Sequence, residues 1–185
     1  SGTFLINTTF YANRARVYGG GMINVAGSRV TVANTIMWGD VAYGGAEIYN
    51  AAGSGGVYNV TNISYSNIQG CFNGTAWFGL CGNNYGGNIH ADPYFVDPFN
   101  GNLRLLPFSP SIDKGNNSAI SSTIIEDLNG NTRIVDSLRD GDPTIDMGAH
   151  EFQGLVPVGF PPGEITPLAE QLPRQAYAST EMYLE

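Results

Sequence analysis

Two cysteines and two histidines are among the scarcest reactive side chains of the 185 residues. Cys71 and Cys81 bracket Phe72 to Leu80, a stretch long enough to fold back on itself. In an exported protein that arrangement reads as one disulfide stapling a loop, with a pair of free thiols as the alternative. His90 and His150 stand apart and no CxxC exists, so neither a zinc site nor a nucleophilic triad can be built from them. Asp127-Leu128-Asn129-Gly130-Asn131 puts three oxygen side chains at alternate positions, as loops for hard cations do, and makes calcium a candidate ligand. The competing reading is that Asp127, Asn129 and Asn131 cap their own turn. Asp136 to Asp142 is a second acidic loop, and neither loop has the EF-hand pattern with its terminal Glu. Arg133 and Arg139 are placed to neutralise these carboxylates. Trp38, Tyr43, Trp77 and Tyr85 are candidates for stacking on a sugar ring; covering the end of a core is the favoured alternative for the rings of the Cys71–Cys81 loop. Asn-X-Ser/Thr occurs at Asn7, Asn59, Asn62, Asn73 and Asn116, candidate glycosylation sites unless they serve only as turn residues.

Acid–base catalysis on a polysaccharide needs either grouped carboxylates or a base beside a bound cation. Before residue 104 the only basic side chains are Arg14, Arg16 and Arg29, and the only carboxylates are Asp40, Glu47, Asp92 and Asp97. No Asp-Asp or Asp-x-x-Asp pair stands among them. These residues therefore argue against catalysis within this chain.

The elements that position these residues repeat. Gly19-Gly20-Gly21-Met22-Ile23 returns as Gly44-Gly45-Ala46-Glu47-Ile48, a shift of 25. Asn7-Thr8-Thr9-Phe10 returns at Asn34-Thr35-Ile36-Met37, a shift of 27, and more loosely at Tyr65-Ser66-Asn67-Ile68, a further 31. Leu5, Val32 and Ile63 then align, as do Thr8, Thr35 and Ser66, and Phe10, Met37 and Ile68. Short β-favouring runs separated by Gly, Asn and Asp fill each unit, and none shows a helical apolar stripe. A unit this short buries its apolar face only by stacking on the next, about 4.8 Å away, which makes like residues neighbours and predicts an all-β solenoid over residues 1–70. A β-sandwich with chance similarity between strands is the alternative.

Phe10-Tyr11-Ala12-Asn13 followed by Gly20-Gly21-Met22-Ile23 resembles the FxxN and GGA[ILV] repeats of polymorphic outer-membrane proteins. The ordered series Asp92 to Asp97, Gly101 to Leu105, Ser109 to Gly115, Asp127 to Arg133 and Ile145 to Phe152 is similar to the C-terminal end of secreted bacterial choice-of-anchor proteins. The resemblance covers roughly residues 1–153. It implies a right-handed parallel β-helix of the pectate-lyase-like superfamily and a surface or secreted life. It does not imply a reaction; if the chain were an enzyme, that superfamily would make it a polysaccharide lyase or glycoside hydrolase.

The expected organisation is a β-helix domain over 1–153 and an extended Pro-rich tail over 154–185. Within the domain, 71–90 is read as a loop excursion and 91–153 as terminal coils and closure. The net charge of −8 disfavours nucleic acid and anionic lipid, and no apolar run is long enough to span a bilayer. The sequence begins inside a strand-like repeat with no signal peptide, so a processed product or a piece of a longer protein is expected. The tail is too apolar for a free linker. The functional expectation is a non-catalytic extracellular or cell-surface protein with a structural or adhesive role, self-assembling head to tail through the first coil and the tail. A carbohydrate-binding module, or a fragment of a polysaccharide lyase or hydrolase, is the alternative.

Overall fold

The structure is a computed structural model that describes residues 2–25, 27–51 and 59–154. The tail expected from residue 154 lies, beyond Gly154, outside the described residues. Regular structure among the described residues is all β apart from three single-turn 3-10 segments.

The first strands are β1 (Thr3–Ile6), β2 (Thr9–Tyr11) and β3 (Met22–Asn24). The next repeat supplies β4 (Arg29–Ala33), β5 (Ile36–Trp38) and β6 (Ile48–Asn50), and the third β7 (Val60–Ser64) and β8 (Asn67–Ile68). They form small parallel sheets in the orders β1-β4-β7, β2-β5-β8 and β3-β6. Residues aligned by the repeat are neighbours in space. Leu5 pairs with Val32 and Val32 with Ile63. Phe10 pairs with Met37 and Met37 with Ile68. Val32, Ile63, Met37 and Ile68 have no exposed surface. Burying such a side chain fully is worth roughly 1.5–3 kcal/mol, and together with Val30 and Ile48 they form the first core.

Neutral polar columns hold the corners between these sheets. Asn7, Asn34 and Tyr65 occupy the same corner with φ of 53°, 48° and 47°, a conformation Asn tolerates well. The next residues, Thr8, Thr35 and Ser66, each donate their hydroxyl to the carbonyl two residues back, at 3.2, 2.9 and 2.8 Å.

The glycine repeat is corrected by one residue. Met22 pairs with Ile48 and Ile23 with Tyr49, a shift of 26 rather than 25. A one-residue slip turns a strand inside out. In the observed register Met22 and Ile48 pack on the first core, while Ile23 stands 48% exposed.

The segment expected as a loop excursion over 71–90 divides. Strands β9 (Phe72–Asn73) and β10 (Ala76–Trp77) make an antiparallel hairpin closed by the Cys71–Cys81 disulfide, with Cα atoms 5.8 Å apart. The chain then rejoins the parallel sheets: β11 (Asn83–Asn84) pairs with β7, and Ile89 bridges to Asn67.

Residues 91–153 depart further from the expectation of terminal coils. Strands β12 (Phe95–Asp97) and β13 (Asn102–Leu105) pair antiparallel, as do β14 (Ile134–Val135) and β15 (Thr144–Ile145). Proline is the physical reason. None occurs before Pro93, and then Pro93, Pro98, Pro107 and Pro110 each remove a backbone N–H that a parallel ladder would use. The region instead covers the β2-β5-β8 sheet. Met37 faces the first core, while Ile36, one residue earlier and on the opposite side of the strand, packs with Phe95, Leu105, Ile112 and Met147 in a second core.

Candidate functional site

Six carboxylates, Asp40, Glu47, Asp113, Asp127, Asp146 and Glu151, turn inward. Asp40 and Glu47 are both 4% exposed. One Asp40 oxygen accepts from the Asn13 backbone N–H at 2.6 Å and from its side-chain amide at 2.8 Å, and Glu47 accepts from the Asp40 N–H at 3.2 Å. Burial, with the Asp40 carboxyl beside it, pushes Glu47 up to about 9. The glycine run explains itself here. A Cβ on Gly21 would lie 2.5 Å from Asp40 Oδ2 and 2.7 Å from the Glu47 carbonyl, so only glycine lets the backbone lie over the pair. Two adjacent carboxyls are a combination that acid–base chemistry can use. This pair, however, is buried beneath the Gly21 main chain.

A second inward cluster joins the late loops. Asp146 has no exposed surface and accepts from the N–H groups of Asp113 at 2.8 Å and Phe152 at 2.6 Å. Burial raises it to about 7. Glu151 accepts from the Asp146 N–H at 2.9 Å, and burial, with Asp146 nearby, raises it to about 9. Arg133, 3.6 Å from Glu151, pulls the other way but does not offset desolvation. Its guanidinium donates instead to the carbonyls of Gly148 and Ala149, each at 3.2 Å. Asp113 is raised by burial and accepts from the Leu138 N–H. Burial likewise lowers His150.

At the candidate calcium loop of Asp127, Asn129 and Asn131 the fold displays the competing role, a capped turn. Asp127 accepts from the N–H groups of Asn129 and Asn131, both at 2.8 Å, from the Asn131 amide at 3.2 Å and from the Glu151 N–H at 2.9 Å. Burial raises its pKa, but these donors outweigh it and hold the group below the ordinary carboxylate range. The lone pairs a cation would use already face N–H groups. Among the described residues, no three His, Cys, Asp or Glu side chains converge to hold a metal.

The four rings singled out as sugar platforms do not share one surface. Trp38 packs against the second core and meets His90 edge-on at 5.7 Å. Trp77 packs against the first core, meets Phe72 edge-on at 5.2 Å and donates its indole N–H to the Gly82 carbonyl at 2.7 Å. Tyr85 is 67% exposed on the loop after β11. Tyr43 is 90% exposed, and it lines a shallow surface depression of about 680 Å³ with Arg14, Ala15, Arg16, Val41 and Ala42. Backbone pairing brings the two halves of that depression together. Arg14 bridges Val41 in parallel, the Ala15 N–H donates to the Val41 carbonyl at 2.9 Å, and the Val41 N–H donates to the Asn13 carbonyl at 2.8 Å. The sequence reading held Arg14, Arg16 and Tyr43 separately; the shift of 27 between Arg14 and Val41, already found for Asn7 and Asn34, was the signal that joins them.

The glycosylation candidates also separate. Asn7 is buried at the αL corner, and its side-chain oxygen accepts from the Asn34 amide at 3.4 Å. Asn59 accepts from Gly27 N–H and Ser28 N–H, Asn62 accepts from the Asn83 amide, and Asn116 caps the turn at Ser118. Asn73 is exposed in the hairpin.

No family model, curated protein or solved structure matches the chain. Among the described residues, no helix is long and apolar enough to cross a membrane.

Proposed function

We propose that the three parallel stacks are coils of a right-handed parallel β-helix, and that the chain is a non-catalytic extracellular or cell-surface protein with a structural or adhesive role. The observation that carries this reading is the arrangement of the sheets. In each of the three parallel sheets the first repeat supplies an edge strand, β1, β2 or β3. Leu5, Phe10 and Met22, from those same strands, are only partly covered at that end of the core, and Phe4 beside them is 67% exposed. Edge strands with apolar side chains are templates for further strands, supplied either by a preceding segment of a longer chain or by a second copy stacked head to tail. The inward carboxylates support the non-catalytic part: Asp40, Asp113, Asp127, Asp146 and Glu151 spend oxygens on main-chain N–H groups. The disulfide fits an oxidising compartment.

The test is sedimentation and electron microscopy of the intact chain over a range of concentrations. Ordered particles that lengthen with concentration, and that Leu5→Lys abolishes, are expected. An intact chain that stays monomeric at high concentration refutes self-assembly. Release of new reducing ends from polygalacturonate or alginate refutes the non-catalytic reading. Deleting residues 155–185 decides whether the tail is the connector.

A further inference from the structure

We infer that the depression at Arg14, Arg16, Val41 and Tyr43 binds an anionic polysaccharide, with its carboxylate or sulfate groups on the two guanidiniums and a sugar face on the tyrosine ring. This rests on the adhesive reading above and names the ligand class it would serve.

The charge distribution carries the inference. The chain as a whole is acidic, at −8. Yet through residue 91 its basic side chains are Arg14, Arg16 and Arg29, all exposed, and its carboxylates are Asp40 and Glu47, both buried. Asp40 lies one residue from Val41 but spends its outer bonds on Asn13, not on either arginine. Neither Arg14 nor Arg16 has an ion-pair partner among the described residues; the ion pair found there joins Arg133 and Glu151. The exposed acids Asp92, Glu126, Asp140 and Asp142 all lie in the later region. Among the described residues, the lining of this depression carries two exposed guanidiniums and no carboxylate, which favours an anion there.

The neighbours of the arginines choose among anions. Tyr43 is 90% exposed and Val41 45% exposed, so an amphipathic ring and an aliphatic surface lie beside the charges. A uronate or sulfated sugar offers both an anionic group and an apolar face of C–H bonds. A shallow, open depression also suits a chain-like ligand that passes across it.

The test uses the intact purified chain with four probes: polygalacturonate, dextran sulfate, neutral dextran and phosphatidylglycerol vesicles. Binding to at least one anionic polymer is expected, weakening as salt rises, with none to neutral dextran. Binding confined to polygalacturonate assigns carboxylate, and binding confined to dextran sulfate assigns sulfate ester. Arg14→Ala with Arg16→Ala should weaken binding about tenfold or more, since charge-assisted hydrogen bonds are lost, while the paired Lys substitutions should retain part of it. Tyr43→Ala should weaken it several-fold. These side chains are exposed, and an unchanged melting temperature confirms that each variant folds. Running the titrations on Leu5→Lys as well separates the site from self-assembly, and measuring reducing ends in the same samples separates it from catalysis. The inference is overturned if neither anionic polymer binds, if the double Ala variant binds like the parent, or if the vesicles bind more tightly than both polymers.

Discussion

The parallel region through Ile68 and the late region from Asp92 solve the same problem with different chemistry. Both must satisfy backbone groups at corners where no strand ladder reaches. Apart from the buried Asp40–Glu47 pair, the parallel region uses neutral side chains in columns: Thr8, Thr35 and Ser66 repeat one hydrogen bond in three successive units. The late region uses carboxylates as hubs, with Asp127 and Asp146 each collecting N–H groups from distant loops. A column spreads its stabilisation over many equivalent positions. A hub concentrates it in one residue and ties it to pH.

The largest expected effect breaks the columns. Val32→Asp places an unpaired charge at a position with no exposure, between Leu5 and Ile63, and should cost at least about 4 kcal/mol. An unchanged thermal midpoint would show that the stacking register is wrong.

The hubs come next. Asp146→Ala strips the acceptor from the Asp113 and Phe152 N–H groups and should destabilise by about 3 kcal/mol, since each buried orphan costs roughly 1–3 kcal/mol. Asp146→Asn, which keeps an acceptor oxygen, should lose less. Equal losses in urea unfolding for both variants would mean that the site is only packing.

Reducing the Cys71–Cys81 bridge tests a third device, a covalent closure where the parallel stack is interrupted. Closing so short a loop contributes roughly 2–3 kcal/mol on the chain-entropy estimate. Comparing melting with and without reductant measures it. Uptake of two alkyl groups by the denatured, unreduced protein would show that the thiols are free.

The last test is the pH slope. Glu47 and Glu151 are raised to about 9 and Asp146 to about 7, so the folded state holds protons that the unfolded state has released. Their contribution is full below the unfolded carboxylate range near 4 and is lost as pH climbs through 7 to 9. Asp127, lowered, works the other way and loses its contribution as pH falls through its folded value. The raised groups outnumber it. Melting temperature should therefore fall from pH 5 to pH 9, and Glu47→Gln should flatten the slope. A rise over that interval would contradict inward, proton-holding carboxylates.

The same contrast explains what could be read in advance. A stacked repeat writes its contacts into the sequence as a period, so Leu5, Val32 and Ile63 were legible as neighbours. The glycine shift went wrong by one because identical glycines align equally well on either register, and only the inward faces of Met22 and Ile48 decide it. The hubs have no period. Asp113 meets Asp146 across 33 residues and Asp127 meets Glu151 across 24, and each spacing belongs to that pair alone. The Cys71–Cys81 pairing was legible from two cysteines and a foldable loop. The alternate oxygens of Asp127, Asn129 and Asn131 fit a cation loop and a capped turn equally, and the spacing does not record which partner fills the lone pairs. The absence of proline before Pro93 is a sign in the sequence that pairing changes there.

One bond sets an order of events. The Ala149 N–H donates to the Thr9 hydroxyl at 3.0 Å across 140 residues, and beside it the Gly148 N–H donates to the Asn34 carbonyl at 2.8 Å. During synthesis at roughly 5–20 residues per second, Thr9 and Asn34 emerge many seconds before their partners. Until Met147 arrives, Ile36 lacks part of its cover, and the early strands wait as a half-finished surface. Closing so long a loop adds little entropy cost, because that cost grows only logarithmically, but it makes completion late and slow. The first repeat therefore cannot gain this cover before residue 149 has been made.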